Sequence, residues 1–196
     1  MIMPIVAYGA AVLKQKAAPI EADYTALEAL ISNMWETMYA AHGVGLAAPQ
    51  VGLGIRLFVI DTAPFAADDS LSEDERQELE GFKEVFINAQ ILDETGEAWD
   101  FNEGCLSIPD VREDVLRNES IRIQYWDENF QEHTRSFNGL IARVIQHEYD
   151  HIEGILFTDK LSPLKKRLIK RKLTAISQGK INPEYPMRFP QMKRKR

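Results

Sequence analysis

Apolar positions recur at helical spacing in three stretches of the chain. Leu27, Leu30, Ile31, Met34, Trp35 and Met38 predict a first helix over Thr25 to Ala41, with Asp23 or Thr25 as its N-cap and Gly43 as its stop. After Asn138-Gly139, the positions Leu140, Ile141, Val144, Ile145, Glu148 and Ile152 predict a second, largely buried helix of about three to four turns, ending at Gly154. Pro163 to Lys172, which continues Leu-Lys-Lys-Arg-Leu-Ile-Lys-Arg-Lys, predicts a basic helix; beyond Gly179, three prolines and a Lys-Arg-Lys-Arg end predict a tail that frays.

Shorter runs rich in β-branched and aromatic residues, Ile55 to Ile60 and Lys83 to Ile87, predict strands. Ile121 to Trp126 alternates apolar and polar, and Glu132 to Phe137 answers it across Asp127-Glu128-Asn129, the pattern of a hairpin. Between the first two strands, Ala63 to Gly81 carries the acidic stretch Ser70-Leu71-Ser72-Glu73-Asp74-Glu75 and predicts a solvated loop with room for one helical turn. The fold class is therefore α+β: antiparallel or mixed sheets around a central buried helix, with a further N-terminal helix and a basic C-terminal one.

Composition changes this picture in two places. A chain of 196 residues, 45% hydrophobic and 27% charged, is long enough for one core, and its net charge of −7 argues against a general nucleic-acid binder. The average hides a split, however: up to Asp159 there are 10 basic against 29 acidic residues, and from Lys160 onward 13 against 1. The single cysteine, Cys105, cannot form an internal disulfide. The start, Met1-Ile2-Met3-Pro4-Ile5, lacks a basic region followed by an apolar one, and no stretch reaches the roughly 18 apolar residues of a membrane span. A reducing cytoplasm without membrane insertion is the expected setting.

Candidate chemistry is concentrated on the second helix, in His147-Glu148-Tyr149-Asp150-His151. Residues i and i+4 share a helix face, so two imidazoles there can bind one metal ion, with Glu148 beside them and Leu140 and Val144 as an apolar wall one and two turns before. A tetrahedral catalytic metal takes a third protein ligand and keeps one position open. No histidine follows His151, while His42 and His133, each taken alone, read as surface or packing residues. Cys105 alone would read as a buried apolar residue; beside an incomplete His-Glu-x-x-His it becomes the third ligand, as thiolate, with the Leu106 N–H directed at the open position. A third stretch, Gly43-Val44-Gly45-Leu46-Ala47-Ala48-Pro49-Gln50-Val51-Gly52, reads either as a glycine-rich connection or as backbone that lets a ligand approach closely, with Gln50 offering an amide donor.

Taken in order, Gly43 to Gln50, Glu103-Gly104-Cys105-Leu106-Ser107 and Gln146-His147-Glu148-Tyr149-Asp150-His151 resemble the three signature motifs of the peptide deformylases. The resemblance extends from Ala7-Tyr8-Gly9 to about Leu164, which makes residues 1–164 one catalytic domain and leaves 165–196 as a basic helix and tail. Three features depart from the family pattern: a long Ala63 to Gly81 insertion, Ala89 where a proline often follows Ile-Asn, and the basic tail itself.

The resemblance implies removal of the formyl group from N-terminal N-formylmethionine of nascent polypeptides. Cys105, His147 and His151 would hold a divalent metal, Fe²⁺ favoured, with Zn²⁺, Ni²⁺ or Co²⁺ as substitutes. Glu148 would be general base and acid for a metal-bound water, with Gln50 and Leu106 stabilising the oxyanion. Leu140, Val144 and Val44 would form the methionine slot, the backbone of Val44 and Gly45 would pair with the extended peptide, and Arg112 would contact it further along. Glu103 and Arg117 would pair to fix the ligand loop. Two other readings use the same residues: an aminopeptidase or amidase acting on free-amine peptides, and a non-enzymatic metal module docked on an acidic partner. The basic end also suits the anionic RNA of the ribosome, without sequence-specific nucleic-acid binding.

Overall fold

The computed structural model describes residues 1–190. In chain order the elements are β1 (Ile5–Val6), α1 (Leu27–Ala40), β2 (Gly45–Ala47), β3 (Leu57–Asp61), α2 (Glu73–Glu80), β4 (Lys83–Cys105), β5 (Ile108–Trp126), β6 (Glu132–Asn138), α3 (Gly139–Ile152), α4 (Pro163–Ser177) and β7 (Met187–Arg188). The strands β2-β3-β4-β5-β6 form one antiparallel sheet in that order, and β1 pairs with β7 in a separate parallel ribbon. The α+β class expected from the pattern is the class observed.

Strand periodicity explains how the sheet sits between two helices. Along β3, Leu57 and Val59 point to the core shared with α1, where they meet Ile31, Met34 and Met38, while Phe58 and Ile60 point to the core shared with α3, where they meet Ile141, Val144 and Ile145. A strand buried on both faces needs no polar alternation, which is why this run is uniformly apolar. A third core joins β1 and the start of β5 to α4 through Val6, Leu13, Ile108, Val111, Ile169, Leu173 and Ile176.

Several expectations are corrected. The first helix begins at Leu27, after Ala26 in a left-handed conformation (φ 58°), so neither Asp23 nor Thr25 caps it; it ends at Ala40, with Ala41 and the left-handed His42 (φ 55°) between it and Gly43. The 63–81 segment is more ordered than a loop: Ala63–Ala67 forms a 3-10 turn, and α2 is a full helix capped by Ser72, whose hydroxyl accepts from the Glu75 N–H while Glu75 reaches back to the Ser72 N–H. Lys83 to Ile87 is only the start of a 23-residue strand that turns at Leu106-Ser107 into a 19-residue partner. Its middle is exposed and polar, with register shifts at four places, so no apolar period marks it. The basic helix runs on to Ser177, because Leu173 and Ile176 continue its buried face. Between Gly179 and Pro190 the tail is tied down and not frayed, since Met187–Arg188 pairs with Ile5–Val6; residues 191–196, with the terminal Lys193-Arg194-Lys195-Arg196, lie outside the described residues.

Candidate metal centre

The site is built by matching two periods. On α3, Arg143, His147 and His151 follow one another at intervals of four residues, a rise of about 6 Å each. On β4, Trp99, Phe101, Glu103 and Cys105 occupy one face at intervals of two, a rise of about 6.6 Å. The two rows therefore stay nearly in step. The Arg143 guanidinium lies over the Trp99 ring, 4.3 Å from its centroid, His147 Nδ1 meets Glu103 Oε2 at 2.9 Å, and His151 Nε2 meets Cys105 Sγ at 3.2 Å.

One ligand atom from each of Cys105, His147 and His151 lies within 4.8 Å of the other two. Because Glu103 takes His147 Nδ1, the Nε2 of that ring is turned to the cluster, the arrangement by which a carboxylate orients a metal-binding imidazole. Thiolate and imidazole are donors suited to zinc or ferrous iron, and three of them with space for a fourth group match a catalytic site. The residues present fit a divalent metal.

Glu103 is itself held by a buried network. Its carboxylate accepts from Arg117 Nε (2.7 Å) and Nη2 (2.9 Å) and from Arg143 Nη1 (3.1 Å), and Arg117 Nη1 continues to Asp150 Oδ2 at 2.7 Å. The pairing of Glu103 with Arg117 expected from the sequence is thus present, and Arg143 and Asp150 extend it. Burial alone would push the Glu103 carboxyl up, but hydrogen bonds from His147 and Arg117 outweigh it and hold it far below the ordinary carboxylate range.

Glu148, one residue along the helix from His147, has no such support. It is 4% exposed, its Oε2 has no hydrogen-bond partner among the described residues, and burial pushes its pKa up to about 7. Gly45 makes room for it: a Cβ there would overlap Glu148 Oε1 and lie 2.8 Å from Cδ. Gln50, also buried, accepts from the Ala47 N–H through Oε1 at 2.8 Å, so its amide nitrogen faces the cluster and lies 3.5 Å from Cys105 Sγ.

These groups open into a cavity of about 650 Å³. Of the residues singled out in the sequence, Val44, Gly45, Gln50, Cys105, Leu106, Arg112, Val144, His147 and Glu148 line it. His151, though a member of the cluster, does not line the cavity, and Leu140 is half-buried against the core and not among the lining residues. Arg112 is held at the wall, its Nε donating to Asn102 Oδ1 at 2.9 Å. Sequence reasoning missed Phe65 and Phe101, which meet edge to face with centroids 6.2 Å apart, and the segment Asn182 to Tyr185. Phe101 was accessible through the two-residue period it shares with Glu103 and Cys105; Phe65 and Tyr185 carry no local signal.

An α+β scaffold that brings a thiol, two imidazoles and a buried unpaired carboxylate together at a cavity defines a metal-dependent hydrolase. A profile of the polypeptide deformylase family matches residues 2–167. The chain is 66% identical to a peptide deformylase of Christiangramia forsetii and 61% identical to one of Flavobacterium johnsoniae, in each case over 100% of both chains. Its structure is similar to those of the peptide deformylases of Thermus thermophilus (38% identity, TM-score 0.77, 92% of this chain and 100% of that one) and Legionella pneumophila (35%, 0.77, 92% and 98%). The chain belongs to the polypeptide deformylase family. Full-length identity to the first two relatives includes α4 and the C-terminal segment, most of which the family profile leaves out.

Proposed function

We propose that this chain hydrolyses the formyl group from the N-terminal N-formylmethionine of nascent polypeptides, releasing formate and a free amine. The observation that carries the reading is Glu148, a buried carboxyl with no partner at Oε2, beside three convergent ligand atoms at the wall of a cavity. Cys105, His147 and His151 would hold a divalent ion, which when bound supplies Lewis acidity and lowers the pKa of a water toward about 7.

The chain's own groups account for the remaining needs of the reaction. Buried and without a partner at Oε2, Glu148 takes the proton of the attacking water and returns it to the amine as the C–N bond breaks. Charge growing on the formyl oxygen meets the Gln50 amide and the Leu106 N–H, each such donor being worth about 10²- to 10³-fold in rate. Val44 and Gly45, at the free edge of the sheet, suit an extended peptide backbone. Val144 with Phe65 and Phe101 offers the apolar wall for the methionine side chain, and Arg112 lies further along the cavity.

Ferrous iron is the metal we infer for the cell, from the soft thiolate in the donor set together with the family. The charge of α4 and of the tail supports an encounter with ribosomal RNA, which unchanged co-sedimentation of a chain lacking residues 165–196 with ribosomes at low salt would exclude. The central experiment combines metal analysis of protein purified without oxygen with formate release from formyl-Met-Ala. Formate from this substrate and no cleavage of Met-Ala are expected, with Glu148→Ala retaining the metal and losing activity by about 10²-fold or more. Cleavage of Met-Ala would favour an aminopeptidase; full activity of Glu148→Ala would remove the role given to that carboxyl.

A further inference from the structure

The turn Leu106-Ser107 joins two strands of 23 and 19 residues, and it carries both the metal-ligating thiol at its entrance and the Leu106 N–H. The tip of so long a hairpin is where a ladder opens first, yet this tip must hold two reacting groups in place. Its two carbonyls are both taken by distant parts of the chain. Tyr8 N–H donates to the Ser107 carbonyl at 2.8 Å, and the Tyr185 hydroxyl donates to the Leu106 carbonyl at 2.8 Å, across 79 residues of sequence.

These two donors belong to one small unit. Ile5 N–H donates to the Pro186 carbonyl and Ala7 N–H to the Arg188 carbonyl, both at 2.9 Å, so the ribbon of β1 and β7 ties the two ends of the described chain together beside the turn. A Cβ at Gly52 would overlap Arg188 Nη2, so the chain just after Gln50 leaves room for the Arg188 side chain. The same segment, Asn182 to Tyr185, forms part of the cavity wall. On the other side of the turn, a Cβ at Gly43 would stand 2.8 Å from Leu106 Cδ1, so Leu106 is closely confined by the chain before β2.

We propose that Tyr185 is a positioning residue for deformylation: its hydroxyl, presented by the C-terminal segment, holds the Leu106 carbonyl, fixes the peptide plane that follows Leu106, and so restricts the backbone rotation at Leu106 through which the N–H on the preceding plane would turn away from the formyl oxygen. The inference rests on the deformylase reading and assigns the C-terminal segment a part in the catalytic site. Removing the hydroxyl leaves the apolar ring in place and frees the Leu106-Ser107 peptide plane, so that Leu106 gains backbone freedom and its N–H, on the adjoining Cys105-Leu106 plane, is held less firmly. Because that donor acts mainly on charge that develops during the reaction, the loss falls on kcat and not on KM.

The test uses the full-length, metal-loaded chain and Tyr185→Phe. Expected for the variant are unchanged metal content, kcat for formyl-Met-Ala reduced roughly 10-fold, KM within about twofold, and faster amide hydrogen exchange confined to residues 105–108. Unchanged kcat would overturn the proposal, whether or not exchange is faster, and so would a loss of rate that follows a loss of metal. If the wild-type chain released no formate, the deformylase reading itself would fail, while exchange at 105–108 would still report on the anchor. Faster exchange throughout the chain would reassign Tyr185 to general stability and also overturn the positioning role.

Discussion

Replacing Glu103 with glutamine removes one charge from the centre of the network and changes little else in size. In the native chain Glu103 serves three buried partners: Arg117 through two hydrogen bonds, Arg143 through one, and His147 through Nδ1. The side chains of both arginines are 2% exposed. After the change Arg117 keeps Asp150, whereas Arg143 keeps only the Val115 and Trp99 carbonyls and loses its carboxylate. Breaking a buried ion pair from one side costs about 3–5 kcal/mol, and a glutamine that still offers one acceptor oxygen places this case near 3 kcal/mol. For a chain of this size, where 1 kcal/mol moves Tm by about 2–4 °C, the expected fall is roughly 6–12 °C. Freed from Glu103, the His147 ring loses the partner that aims its Nε2, and metal affinity should fall about 10- to 100-fold. Calorimetric unfolding of the metal-free chain and a competition titration against a chelator read the two effects separately. A Tm within about 2 °C of wild type together with undiminished metal affinity would refute the argument that Glu103 orients the site.

Gly45→Ala should reduce kcat by about 10²-fold with metal content unaltered, because the new Cβ takes the space of the Glu148 carboxylate and displaces it; crystallographic retention of the Glu148 position with full activity would contradict this. The third prediction concerns acid. Burial pushes the Glu153 carboxyl up, but hydrogen bonds from Lys16 and Arg56 outweigh it and hold the pKa below the ordinary 4.5, with Arg56 Nη1 2.7 Å and Lys16 Nζ 2.9 Å away. A depressed folded pKa gives stability that is present above the unfolded pKa and lost as pH falls through the folded one. Glu153→Gln should therefore melt about 2–4 °C below wild type at pH 7, a cost of about 1 kcal/mol, with the gap closing below about pH 4. A gap of equal size at pH 3 and pH 7 would show that charge is not its origin.

What could be read from the residues alone were features whose physical cause is local. Apolar spacing marked α1, α3 and the first part of α4, and the i and i+4 positions of His147 and His151 placed two imidazoles on one helix face because a helix repeats every 3.6 residues. Cys105 was reached as the donor that completes the pair, and the distance from its sulfur to His151 Nε2 agrees. Alternation likewise marked the pairing of β5 with β6, in the register Ile121 to Phe137.

Tertiary structure decided whatever depends on which segments meet. The long hairpin was hidden because an exposed polar strand buries no face and so leaves no apolar period; its ladder is made by backbone groups that every sequence carries. That hairpin brings Glu103 to His147, 44 residues away, and lets Arg143 and Asp150 join Arg117 around it. The 63–81 segment, read as solvated, folds and delivers Phe65 to the cavity, and the described part of the tail, read as frayed, returns so that Met187–Arg188 pairs with β1 and Tyr185 reaches Leu106. A charge count showed that the chain has a basic end, but only the pairing of β7 with β1 beside the hairpin tip placed Tyr185, within that end, at the cavity wall, because a hydrogen bond across 79 residues follows from the path of the chain and from no local pattern.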